Sequence, residues 1–108
     1  MEWHESIIGK IGLIENTENK DINLEIAESM ITNGMRIMKS WEIMKLLDED
    51  SKSLRFLKIG YYFTYSNEIY YRASWLGRAG NGSRFYAVGW GVVVADGGLL
   101  GVLAVKED

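Results

Sequence analysis

Six cations stand against one carboxylate between residues 52 and 95: Lys52, Arg55, Lys58, Arg72, Arg78 and Arg84 against Glu68. The same stretch holds 11 of the chain's 13 aromatic residues. Basic side chains interleaved with rings suit a nucleotide or a single strand, because the cation meets phosphate while the ring stacks on a base. Tyrosine, phenylalanine and tryptophan are also ordinary strand formers, and the strand pattern set out below sends half of these rings to a core face. What that leaves for ligand binding is Lys58, Tyr62, Tyr70, Arg72 and Tyr86, near Gly60, Gly89 and Gly91, where missing side chains leave a shallow trough. Arg78 and Arg84 bracket a second candidate, the glycine-rich run from Gly77 to Arg84, whose successive backbone amides suit an anion. That run is also explained as a hairpin turn, since it joins two strands and lacks the lysine-serine ending of a phosphate loop.

Catalytic chemistry has little to work with. His4 is the single histidine, beside Trp3 and Glu5, where a solvated role accounts for it. There is no cysteine, which excludes disulfides, thiolate catalysis and the common zinc clusters. Asp48-Glu49-Asp50 lacks the glycine and further oxygen ligands of a calcium loop and reads as a charged linker. No cofactor or metal site is expected.

The elements that position these residues follow from periodicity. From Leu54 to Val105 the chain reads as four antiparallel strands in series. A three-residue loop ending at Asn67 pairs Phe63 with Ile69 and Leu57 with Trp75, and an Asn81-Gly82 turn pairs Trp75 with Val88 and Ala73 with Trp90. A third turn at Asp96-Gly97 or Gly97-Gly98 brings Leu99, Gly101, Leu103 and Val105 onto the same apolar face. The opposite face begins basic and aromatic at Lys58 and Tyr62 and ends apolar at Val93, Leu100, Val102 and Ala104. Such an end needs a cover, and a second copy of the chain is the expected one.

In the first half, Ile22, Ile26, Met30, Ile37, Trp41 and Met44 recur at helical spacing around a narrow wet stripe of Glu25, Ser29, Thr32, Arg36 and Ser40. This predicts a long helix within about residues 19–50, capped by Asn19 or Asp21, with Asn33-Gly34 as a kink or a break. Ser6 to Ile14 is an edge strand or a short helix. The fold class expected is α+β: a long N-terminal helix packed on a four-stranded antiparallel meander (about 54–106), with a short N-terminal edge strand as an option. This element order resembles that of cystatin-type folds in topology. The glutamine-valine-glycine loop and proline-tryptophan turn of cystatins are absent, so the resemblance implies no function.

With 108 residues, the chain suffices for one domain burying roughly two-thirds of its unfolded surface. Residues 1–50 hold 5 basic and 11 acidic side chains, and residues 51–108 hold 7 basic and 4 acidic, so the sheet half is the basic half. Ala87 to Val105 carries one charge over a membrane-like length, but its five glycines and its valines favour two strands over a spanning helix. The start, Met1-Glu2-Trp3-His4-Glu5, is not a secretory signal, which makes the cytoplasm the expected location.

The function expected is a non-enzymatic, self-associating binding module. It would hold a small anionic ligand such as a nucleotide, or a protein surface, on its basic aromatic sheet face. The alternatives are a small enzyme or enzyme subunit with a site between chains, and single-stranded nucleic-acid binding, which the acidic balance opposes.

Overall fold

Glycine punctuates the first elements. In the computed structural model, which describes residues 1–19, 22–58, 61–65, 73–78, 85–91 and 99–107, His4–Ser6 (β1) and Gly9–Glu15 (β2) form an antiparallel hairpin. Ser6 closes its two-residue turn: its hydroxyl donates to the Gly9 carbonyl at 2.6 Å and accepts from the Ile8 amide at 3.2 Å. Gly9 has φ +110°, which side chains with a Cβ rarely adopt. The stretch from Ser6 to Ile14 is therefore mostly strand, and β2 lies inside the sheet, leaving β1 at the edge.

The long helix expected from about 19 to 50 is not formed. Leu24–Met30 (α1) is a seven-residue helix whose start is held by Asn23, with its side-chain oxygen accepting from the Ile26 amide at 2.9 Å. Asn19, one of the expected caps, instead has a positive φ of 52° outside the helix. At Ile31 the backbone turns extended, and Gly34 takes φ +87°, so the Asn33-Gly34 signal acts as a full break. Met35–Ile37 (β3) then pairs with the last strand, and Ser40–Glu49 (α2) follows, leading into a single 3-10 turn at Ser51–Leu54. Helical spacing misleads here because Met35, Ile37 and Met38 satisfy both a helical stripe and a short strand. The Met38 amide donates to the Leu103 carbonyl at 2.8 Å, a long-range bond that an unbroken helix would forgo.

The four-strand meander is overturned as well. Tyr61–Tyr65 (β4), Ala73–Arg78 (β5) and Phe85–Gly91 (β6) are consecutive antiparallel neighbours, but Leu99–Lys106 (β7) does not pair with β6. It crosses to the far side of β4, runs parallel to it, and lies between β4 and β2, giving the order β1-β2-β7-β4-β5-β6 with β3 also on β7. The helix-then-meander order behind the cystatin resemblance is thus absent. Registers differ too: Phe63 stands opposite Trp75 instead of Ile69. Trp75 does stand opposite Val88, but a shift beside it places Ser74, not Ala73, opposite Trp90. The turns at Asn67, Asn81-Gly82 and Asp96-Gly97 lie outside the described residues. The architecture among those residues is α+β, with two short helices and a largely antiparallel sheet.

β7 is buried on both faces. Leu103 and Val105 join Ile11, Ile43, Leu46 and Tyr62 in a core beneath α2 and the 3-10 turn. Leu99 and Val102 join Ile22, Ala27 and Phe63 in a second core beneath α1. Both apolar faces of the strand are therefore covered by the chain itself, one helix to each, and the face carrying Val102 needs no outside cover. Gly101 permits the close approach of β2, since a Cβ there would collide with the Ile14 carbonyl and the Leu13 side chain.

One buried ion pair ties the helical and sheet parts together. Glu42, at 2 % exposure, accepts two hydrogen bonds from the Arg36 guanidinium, at 2.6 and 2.8 Å, and a third from the Lys39 amide at 2.9 Å. Burial by itself pushes the Glu42 carboxyl up. The Arg36 hydrogen bond, the Lys39 amide and the two positive charges outweigh it, so the group is held below its usual range.

Two outcomes follow. Val102→Ala is expected to cost about 2 kcal/mol through the lost methyl groups and the cavity left behind. A urea midpoint that falls by the same amount at every protein concentration supports burial within one chain, whereas a midpoint that rises with concentration would place Val102 between copies. For Glu42, the unfolded chain takes up a proton before the folded one. The pair's contribution is complete above the ordinary glutamate value of about 4.3 and is lost as pH falls through the lower folded value. Urea midpoints of the wild type should therefore drop between about pH 5 and pH 3 more steeply than those of Glu42→Gln, which at neutral pH is expected to be less stable by about 2 kcal/mol.

Candidate functional site

Among the described residues, a groove of about 650 Å³ gathers side chains remote in sequence. The N-terminal segment and β1 contribute Glu2 and His4, and the segment after the 3-10 turn contributes Phe56 and Lys58. The end of β2 contributes Leu13 and Glu15, and β7 contributes Leu100. The volume falls within the range of ordinary ligand pockets.

Each residue is held for a local reason. The His4 ring lies flat against Phe56, with centroids 3.8 Å apart and planes 11° from parallel, and its Nε2 is 3.6 Å from the Glu2 carboxylate. Gly12 lets the N-terminal segment lie over β2, because a Cβ there would stand 2.8 Å from the Met1 sulfur and 2.9 Å from the Glu2 carbonyl. Lys58 is exposed, and its carbonyl accepts a 2.7 Å hydrogen bond from the Tyr62 hydroxyl, which fixes the backbone that carries the ammonium. Asn16 fastens the end of β2 to the start of β7: its amide donates to the Leu100 carbonyl at 2.9 Å and its side chain to the Leu99 carbonyl at 3.0 Å.

Of the ligand-binding residues expected from the sequence, the structure brings Lys58 and Tyr62 to this groove. Tyr62 is not a surface ring as expected: it is fully buried in the core and borders the groove only from beneath. Arg78 and Tyr86 fall on β5 and β6, on the other side of β4 from β7. Tyr70, Arg72 and Arg84 lie outside the described residues. Of the expected contact residues, Val102 and Ala104 are fully buried inside the chain, and Leu100, 39 % exposed, opens onto the groove. Val93 lies outside the described residues.

Sequence reasoning missed His4 and Phe56. Trp3-His4-Glu5-Ser6 before Gly9 carries a strand signal too short to weigh, and nothing local announces a ring partner 52 positions away. Asp48-Glu49-Asp50 is the end of α2 and its cap, where the Asp50 carboxylate accepts the Ile7 amide at 3.0 Å and fastens the first hairpin to the helix. Among the described residues, no group of three or more histidine, aspartate or glutamate side chains is placed to hold a metal ion, and no helix is long and apolar enough to cross a membrane.

Compared with known proteins, the chain matches no family model, no curated protein and no solved structure.

The Tyr62 hydroxyl supplies the test of how the groove is held. Tyr62→Phe is expected to cost about 1 kcal/mol in stability. It should also speed amide hydrogen exchange at residues 56–58 more than elsewhere; unchanged exchange there would mean that the bond does not order the Lys58 segment.

Proposed function

We propose that this chain is a non-enzymatic binding module that holds a small ligand in the groove between the first hairpin and the Phe56–Lys58 segment. The observation that carries the reading is that the His4–Phe56 stack and the exposed Lys58 line one concavity of ligand size, assembled from elements far apart in sequence. Rings beside Leu13 and Leu100 offer contact to an apolar body, and Lys58 offers a charge-assisted bond to an acidic group. The anion expected from the sequence is kept in this reading, but its site moves from the strand face to the groove.

A nucleotide is a poorer candidate than a monoanion. Glu2 and Glu15 line the same groove, so Lys58 faces two carboxylates and a polyphosphate would be repelled.

The test is titration of ¹⁵N-labelled protein with 3-phenylpropionate, an apolar ring with one carboxylate. Amide shifts are expected to move at His4, Leu13, Lys58 and Leu100, and Lys58→Gln should weaken binding by about fivefold, the scale of a partly exposed ion pair. Shifts confined to β5 and β6 would return the site to the strand cations, and no shift at all would sink the groove reading.

A further inference from the structure

We infer that Met1–Trp3 is a strap that gates the groove, lifting from Gly12 to admit a ligand and lying down to retain it. The inference rests on the groove reading above and adds to it how access is controlled.

Glycine seats the segment. Gly12 lies within β2, an interior strand, and its φ is not positive, so no turn requires its lack of a side chain. A Cβ there would stand 2.8 Å from the Met1 sulfur, 2.9 Å from the Glu2 carbonyl oxygen and 3.2 Å from the Trp3 ring. These three nearest atoms belong to three consecutive residues, and the first two distances are shorter than real Cβ atoms tolerate. The segment thus lies in a notch that any other residue at position 12 would fill.

The hold on it is shallow. Met1 is 55 % exposed and the Glu2 side chain 84 % exposed, and Glu2 approaches the His4 ring nitrogen only to 3.6 Å. Contacts of this kind contribute little, and a segment with little buried surface is one that opens locally. The next residue, in contrast, is fixed: His4 begins β1, stands opposite Ile11 and stacks on Phe56. The boundary between loose and fixed parts is the Trp3–His4 peptide, a hinge at the end of an element.

Both parts face the groove, where Met1 and Glu2 line one side together with His4 and Leu13. Lying on Gly12, the segment forms part of the wall. Lifted about the hinge, it removes that part and leaves the His4–Phe56 stack, Leu13 and Lys58 in place. A deeply buried segment would not lift, and one without the notch would not lie down.

Relaxation-dispersion NMR of the wild-type protein, which needs no variant, is expected to show a minor state at the Glu2, Trp3 and Leu13 amides with one shared exchange rate. Saturation with 3-phenylpropionate should quench that exchange. Gly12→Ala should hold the segment off β2, so that its Glu2 and Trp3 shifts match those of the wild-type minor state. With a lifted population of about 10 %, the association rate of 3-phenylpropionate should rise about tenfold in Gly12→Ala, and release should quicken as well. Flat dispersion profiles at these amides, or an association rate that Gly12→Ala leaves unchanged, would make the segment a fixed wall and overturn the inference while the groove reading stands. If 3-phenylpropionate shifts no groove amide in either protein, the groove reading itself falls.

Discussion

Every other element of this chain answers to the burial of β7. A strand apolar on both faces needs two covers, and both of its edges need hydrogen-bonding partners, because an unmatched backbone group in a core costs as much as a lost bond. The chain meets all of these demands internally. β2 takes one edge along Ile11 to Glu15, while β4 and β3 share the other, at the start and the end of β7 respectively. α1 and α2 take one face each. Breaking the first half into two helices is then a consequence: a single rod could have covered only one face, and β3 would not exist to complete the second edge.

The Arg36–Glu42 pair shows how firmly that division is set. Arg36 stands opposite Val105 of β7, and Glu42 sits in the first turn of α2. A carboxylate at this depth is costly unless its oxygens find donors, and here two guanidinium N–H groups and the Lys39 amide give it three hydrogen bonds. The pair therefore fixes where α2 begins relative to the sheet, and with it the placement of Ile43 and Leu46 over Leu103 and Val105. Nearby, the Ser40 hydroxyl donates to the Tyr65 carbonyl at 3.0 Å and stands 3.4 Å from the Thr64 hydroxyl, so the helix start is also pinned to β4.

Local signals in the sequence were read well where local energetics decide. The aromatic run Tyr61–Tyr65 and the apolar run Leu99–Lys106 are strands, Asn33-Gly34 is a break, and Trp75 stands opposite Val88. What could not be read is where β7 goes. Alternation places Val102 and Leu103 on opposite faces, but it says nothing about which strand lies alongside, and a parallel neighbour 38 positions back leaves no turn signature between them. The apolar run at Leu100, Val102 and Ala104 therefore suggested an uncovered face when it marked a central strand. The groove was half legible for the same reason: Lys58 stood out by its charge, while His4 and Phe56 acquire meaning only once the first hairpin is placed beside the 3-10 turn.

The position of β7 also explains why a groove exists at this end of the sheet. Had β7 followed β6 as a fourth meander strand, β2 and β4 would have had no common neighbour, and the residues before Tyr61 would not have been drawn toward those after Leu13. Insertion of β7 places the end of β2 and the entry to β4 at one end of the sheet, separated by the start of β7, where Gly101 gives no side chain and Leu100 remains partly exposed. A register shift between Tyr61 and Tyr62 marks the same point, where the parallel ladder is irregular. The concavity is therefore the place where one non-local parallel pairing meets an antiparallel one imperfectly, and its charged residues come from the N-terminal segment (Glu2), the end of β2 (Glu15) and the segment after the 3-10 turn (Lys58). Gly101 leaves nothing to fill: a Cβ there would collide with the Ile14 carbonyl, so the close pairing of β2 with β7 beside this concavity depends on glycine at that position.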